Sequence, residues 1–236
     1  MIYVIFSLGF LIQSIGGFGG GLFAVPLLTL LTEPRFIVPA FSVTVWILNL
    51  VIGFETRKHI VWSRVFKIVI ACWVSLPAGV YMLAHADQDM IRLFISLTTL
   101  VLGIFFLLGI KPRIKDSAGS YVIAGLISGL LSGSAAMGGP PLIIMGYAMG
   151  WEKNEFRATL VTCFAINGAV SMVLFYLNGL LHTDNMSIVP LALIPVIIAL
   201  MAGIKIKNHL NQQWFSRVTV VLIIIVGLSG SIRFLL

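Results

Sequence analysis

Six apolar stretches punctuate the chain, at residues 36–54, 68–83, 93–110, 158–177, 188–204 and 218–232, and no charged residue lies inside any of them. A helix that crosses a bilayer needs about 20 mainly apolar residues, ~17–25 in practice. Several stretches reach that length only with their flanks, and together they predict six membrane-spanning helices. Two further apolar segments have a different texture. Residues 15–28 read IGGFGGGLFAVPLL, and residues 125–143 read GLISGLLSGSAAMGGPPLI. Glycine weakens a helix by roughly 1 kcal/mol per residue relative to alanine, so both segments are predicted to break.

The two broken segments belong to an internal repeat. A shift of 118 places Gly20-Gly21 on Gly138-Gly139, Ser14 on Ser132, Ala40 on Ala158, Thr44 on Thr162 and Asn49 on Asn167. Later in the chain a shift of 124 places Gly79 on Gly203, His85 on His209 and Gly103 on Gly227. The chain therefore reads as two homologous halves, residues 1–116 and 117–236, that together form one transmembrane domain. The expected fold is an all-α polytopic membrane protein. Each half has a glycine-broken segment, a re-entrant hairpin or a discontinuous helix, followed by three transmembrane helices.

Charge between the helices bears on that choice. An unbroken helix over residues 1–31 would be ~46 Å long, well beyond the ~30 Å hydrocarbon core. If both broken segments crossed the membrane, the basic residues would divide almost evenly between its faces. If both are hairpins, Arg57, Lys58, Arg64, Lys67, Lys111, Arg113, Lys115, Lys153, Arg157, Lys205, Lys207 and Arg217 share one face. Arg35, Arg92 and Arg233 take the other. Only the hairpin arrangement reproduces the excess of Lys and Arg on the cytoplasmic side. It puts both termini outside and relates the halves as inverted-topology repeats.

Composition narrows the function. The chain of 236 residues is 59% hydrophobic and 10% charged, against ~25% charged in an ordinary soluble domain. Its loops are too short to hold a separate catalytic module. The net charge of +7 follows from cytoplasmic loops and implies no nucleic-acid partner. The uncharged opening MIYVIFSLGFLIQSIGG lacks the basic n-region of a cleaved signal peptide. Cys72 and Cys163 lie in apolar stretches and give no disulfide framework, and no metal or cofactor motif is present.

The breaks carry the candidate chemistry. Irregular backbone at membrane depth is tolerated where it lines a cavity, and matching breaks in two repeats point to a transporter's substrate site. Where the chain restarts as a half-helix, free N–H groups and the positive dipole end favour an anion. The candidate residues in the first break are Gly17, Phe18, Gly19, Gly20 and Gly21, with Ser14 nearby. Ser132, Ser134, Gly138 and Gly139 form the second set, followed by Pro140-Pro141, which suit a first helical turn. Asn49 and Asn167 occupy matching buried places and either contact a central ligand or join helices by a hydrogen bond. Thr44 and Thr162 are further candidates, although such threonines commonly bond their own helix carbonyls. The bland alternative for the glycines is close helix packing.

What is missing also counts. All eight acidic residues (Glu33, Glu55, Asp87, Asp89, Asp116, Glu152, Glu155 and Asp184) fall in loops or at helix ends. No carboxylate stands mid-membrane, where cation sites and proton relays place one. An intramembrane serine hydrolase at Ser132 or Ser134 lacks a histidine base within a span, and GGFGGG lacks the Lys-Ser/Thr of a phosphate-binding loop.

At these residues the chain resembles the TauE/SafE family of sulfite exporters over essentially its whole length. The likeness is most specific at GGFGGGLFAVPLL with Pro26 and at GLISGLLSGSAAMGGPPLI with Pro140-Pro141. Ala135-Ala136 stand where many members place more glycine. The resemblance implies a secondary transporter of the bacterial cytoplasmic (inner) membrane that moves a small anion, sulfite, sulfoacetate or another organosulfonate, by alternating access. A passive anion channel built on the same half-helix ends is the alternative, and an enzyme is not expected. The expected partners are the anion and the lipid bilayer, with H+ or Na+ as the candidate coupling ion; a homo-oligomer is left open.

Overall fold

The computed structural model describes residues 1–16, 19–110, 112–206 and 212–235, and among them every regular element is helical. The apolar stretches form α3 (Pro34–Thr56), α4 (Trp62–His85), α5 (Gln88–Leu107), α8 (Lys153–Leu177), α10 (Ile188–Ile206) and α11 (Gln212–Leu235). The broken segments form two pairs, α1 (Ile2–Gly16) with α2 (Gly20–Leu31), and α6 (Ala118–Ala135) with α7 (Gly139–Ala148). A single turn, α9 (Thr183–Met186), precedes α10. Among the described residues, six helices are long and apolar enough to cross a membrane. Four of these contain expected stretches and a fifth, Gln88–Leu107, covers most of the stretch 93–110. The sixth is α6, while the apolar part of α11, Arg217–Ile232, is shorter. The chain is a polytopic all-α membrane protein.

Sequence explains why these helices hold in lipid. Their outer faces carry apolar side chains at helical spacing, such as Phe66, Ile70 and Trp73 on α4 and Ile194, Ile198 and Met201 on α10, all exposed. In water such faces would aggregate; in hydrocarbon they are solvated. Acidic residues stay at the ends, as their distribution predicts. Asp87 caps α5 by accepting from the backbone N–H groups of Asp89 and Met90, and Glu155 in the first turn of α8 pairs with Arg64 at 2.8 Å.

Both glycine-broken segments reverse direction. In a continuous helix residues 9 and 24 would be ~22 Å apart. Instead a Cβ on Gly9 would stand 2.8 Å from Ala24 Cβ, so α2 lies back against α1. At the second break Ser128 Oγ donates to the carbonyl of Gly138 at 2.7 Å, ten residues on, where a straight helix would separate them by ~15 Å.

The chain divides into two compact units, each drawing on both halves of the sequence. The first unit comprises Met1–Phe41, Ala86–Ile110 and His182–Leu236, and the second comprises Ser42–His85 and Lys111–Leu181. In the second unit α4 packs along α6, and in the first unit α10 packs along α1. Gly79 and Gly203, which coincide under the 124-residue shift, mark these equivalent contacts. A Cβ on Gly79 would meet Ser134 N at 3.1 Å, and one on Gly203 would meet Leu11 O at 3.2 Å. Within the first unit α5 crosses α11 reciprocally. A Cβ on Gly103 would meet Ile224 Cγ1 at 2.8 Å, and one on Gly227 would meet Leu100 Cα at 3.0 Å. Residues 100 and 103 become 224 and 227 under the same shift, so each side of the contact repeats the other, as in a two-fold interface.

The cores differ in character. Phe6 and Phe10 of α1 close on Phe41, with ring centroids 5.2 and 5.7 Å away, and Arg35 and Arg92 donate to the carbonyls of Ala86, just before α5, and of Thr29, in the last turn of α2. The second unit instead joins α4 and α6 almost backbone to backbone. Its basic end is an aromatic cluster, in which Arg64 lies over Trp151 and Tyr121 stacks on the same ring.

Candidate functional site

The first break is a helix start of unusual form. Gly19 adopts φ 92°, ψ −8°, a left-handed conformation that glycine takes without a Cβ clash. Its carbonyl accepts from Phe23 N at 2.9 Å. The amides of Gly20, Gly21 and Leu22 therefore precede any intrahelical acceptor and present three donors at the positive end of α2. Thr219 and Ile223 of α11 and Ile12 of α1 surround Gly19. Gln13 borders Gly20: a Cβ there would stand 2.7 Å from Gln13 Oε1. Ser14 bonds the carbonyl of Leu11 at 2.9 Å and packs against Gly203, so its hydroxyl serves the α1–α10 contact. Gly17 and Phe18 lie outside the described residues.

The second break is built differently. Ala136 has φ 54°, the one non-glycine residue at positive φ among the described residues. It ends α6 with a pair of reversed bonds, Ala136 N to Ser132 O and Met137 N to Leu131 O, both 3.1 Å. The departure from a glycine-rich motif thus falls where glycine would be unstrained. After Gly138 and Gly139 come Pro140 and Pro141, which have no N–H. The first three residues of α7 therefore offer one backbone donor, Gly139, against three at α2. Ser134 donates to Leu130 O at 2.7 Å, and Ser132 flanks Gly138, whose missing side chain leaves its hydroxyl room.

Helices α4 and α8 complete the second site. Cys72 of α4 is fully buried in this region, and Ser128 of α6 donates from Oγ to the Gly138 carbonyl. Phe164, one turn before Asn167, lies 3.8 Å from where a Cβ of Gly139 would be. Asn167 is 4% exposed, and its Oδ1 has no hydrogen-bond partner among the described residues. It belongs to a buried polar row at four-residue spacing on α8: Thr159, Cys163, Asn167 and Ser171. Thr159 Oγ1 is likewise without a partner among the described residues, while Ser171 Oγ donates to Asn167 O at 2.9 Å.

The remaining candidates are buried on α3 and α8. Asn49 and Thr44 lie on α3, and Thr162 lies on α8. The neighbouring Trp46 donates from Nε1 to the carbonyl of Ala165 at 2.9 Å, which ties α3 to α8. Sequence reasoning missed Gln13, Cys72, Ser128, Thr159, Cys163 and Ser171 as site residues. Gln13 was visible as a polar amide inside an otherwise apolar helix, and the α8 row as polar residues four apart.

Reversed half-helices between long apolar helices, with backbone N–H donors at their starts, are the features of a polytopic membrane protein of the transporter class. The chain belongs to the sulfite exporter TauE/SafE family, whose model matches residues 1–230. It is 25% identical over 223 residues to a Cupriavidus necator protein named "Probable sulfite/organosulfonate exporter TauE", covering 92% of this chain and 87% of that one. It is also 23% identical over 247 residues to a probable membrane transporter protein of Methanocaldococcus jannaschii, covering 94% of this chain and 91% of that protein. No solved structure matches the chain.

Proposed function

We propose that the protein is a secondary transporter that moves a small sulfur oxyanion or organosulfonate, such as sulfite or sulfoacetate, across the bacterial cytoplasmic membrane by alternating access. The observation that carries this reading is the start of α2, where Gly19 leads into three amides that have no acceptor within the helix and none shown among the described residues. Oxygen atoms of an anion satisfy such donors, and the helix dipole adds to the attraction. The name of the Cupriavidus necator relative agrees with a sulfonate or sulfite substrate. The purified protein in proteoliposomes should accumulate sulfite or sulfoacetate against its gradient when a proton or sodium gradient is imposed, with saturation. Flux that only follows the anion's own gradient and does not saturate would instead mark a channel.

The reversed breaks, combined with the loop charges, support inverted repeats with both termini outside. Ser117 and Asn154, both exposed at helix starts, are then cytoplasmic. Cysteines introduced at these two positions should resist a membrane-impermeant maleimide in intact cells and react after permeabilisation. Labelling in intact cells would reject the topology.

A further inference from the structure

The reversed helix α2 ends at a cavity that carries charge of both signs. Leu31, Thr32, Glu33 and Phe36, where α2 gives way to α3, and Arg92 of α5 line a surface depression of about 400 Å³. That volume falls within the ~300–1,000 Å³ of small-ligand sites. Arg92 is held at its wall: Nε donates to Thr29 O at 3.1 Å, and an η nitrogen pairs with Asp89 at 2.8 Å. Glu33 is exposed. Arg35, a second cation at the start of α3, reaches instead to the carbonyl of Ala86 at 2.7 Å. Leu31, 44% exposed, and Phe36 add an apolar shelf beside the charges.

Position and charge select the occupant. Glu33, Asp87 and Asp89 stand where α2 ends and where α3 and α5 begin, so the cavity lies where hydrocarbon gives way to lipid headgroups. A wholly anionic ligand would meet Arg92 but face Glu33 and Asp89 with like charge. A zwitterion with a phosphate and an ammonium answers both signs, and an attached hydrocarbon chain covers Leu31 and Phe36. We infer that this cavity is a headgroup site for an ethanolamine phospholipid. Arg92 takes the phosphate, Glu33 takes the ammonium, and Leu31 and Phe36 take the first carbons of the acyl chains. The site goes beyond the transport reading and does not depend on it.

Native mass spectrometry tests it on the delipidated full-length protein, titrated with phosphatidylethanolamine and phosphatidylglycerol of identical chains. Both lipids offer Arg92 a phosphate, and only the first offers Glu33 an ammonium. The wild type should bind phosphatidylethanolamine about fivefold more tightly, the ratio expected of one partly exposed ion pair. Glu33→Gln should make the two affinities equal. That variant should fold, because Glu33 serves the start of α3 through its backbone carbonyl, which accepts from Phe36 N and Ile37 N. Equal affinities in the wild type, or a preference that survives in Glu33→Gln, overturn the inference. Free phosphoethanolamine at the same concentration should leave the bound lipid in place. Displacement would give the cavity to a soluble zwitterion and overturn the lipid assignment. None of these outcomes bears on the transport reading.

Discussion

Replacing Gly129 by leucine should leave no stably folded protein. A Cβ at Gly129 would stand 2.9 Å from the Cα of Cys72 and still closer to its carbonyl and to Ser75 Oγ. Backbone atoms cannot rotate aside as a side chain can. Gly125 and Gly133, one turn to either side, are as tightly placed: their Cβ atoms would meet Ile68 O at 2.8 Å and Leu76 O at 2.6 Å. This row lets α6 lie against α4 closely enough for Ser75 Oγ to donate across to Leu126 O at 2.6 Å. In lipid no hydrophobic gain drives two helices together, so close packing and such bonds supply the attraction. Overpacking a core usually costs 1–3 kcal/mol, and a clash with backbone belongs at or above the top of that range. Fluorescence-detected size exclusion should show aggregated or absent protein for Gly129→Leu. Gly119→Ala, whose Cβ meets nothing nearer than 3.9 Å, should elute and melt like the wild type. A normal melting temperature for the leucine variant would refute the packing argument.

Gly19→Val should separate folding from transport. The Cβ space at Gly19 is open, with Ile223, Thr219 and Ile12 at ordinary contact distances of 3.6–3.9 Å. The difficulty lies in φ 92°, which costs an L-residue roughly 1–2 kcal/mol and is worse for a β-branched one. Valine therefore pulls the backbone toward negative φ and swings the amides of Gly20, Gly21 and Leu22 away from their common direction. Hydrogen bonds to a charged group contribute about 1.5–3 kcal/mol each, so losing the alignment of one or more should reduce sulfite flux by ~10–100-fold. Protein yield should fall far less than with Gly129→Leu, and Gly19→Ala should be intermediate. Full flux from the valine variant would remove the α2 amides from the substrate site.

These two glycines show how much the sequence could reveal. The long helices were legible because hydrocarbon imposes one rule on all of them: apolar side chains over a fixed length, with charges at the ends. The breaks were legible because runs such as GGFGGG cannot sustain a helix. The roles of individual glycines were not. Gly125, Gly129 and Gly133 sit in the same run as Gly138 and Gly139, yet the first three seat a neighbouring helix and the last two form the turn. Only the partner, α4, separates those roles, and α4 lies elsewhere in the sequence. The 124-residue shift matched Gly79 to Gly203 without disclosing that each touches the opposite half. Comparison of the halves also hid part of the α8 row. Asn167 has a counterpart in Asn49, but Thr159, Cys163 and Ser171 align with Phe41, Val45 and Gly53, so a search for matched polar residues passes over them.

The exchange of helices between halves has a consequence during synthesis. When α4 enters the bilayer its glycine-seating face has no partner, because Gly129 follows Gly79 by about fifty residues. At 5–20 residues per second the ribosome takes ~3–10 s to supply it. The first segment waits longer still: Ser14 meets Gly203 after nearly 190 further residues, or ~10–40 s of translation. Until then α1 and α2 have only each other, Phe41 of α3 and the helix α5 to pack against. A ribosome that stalls after the first half therefore releases a fragment with neither unit complete, an obvious substrate for membrane proteases.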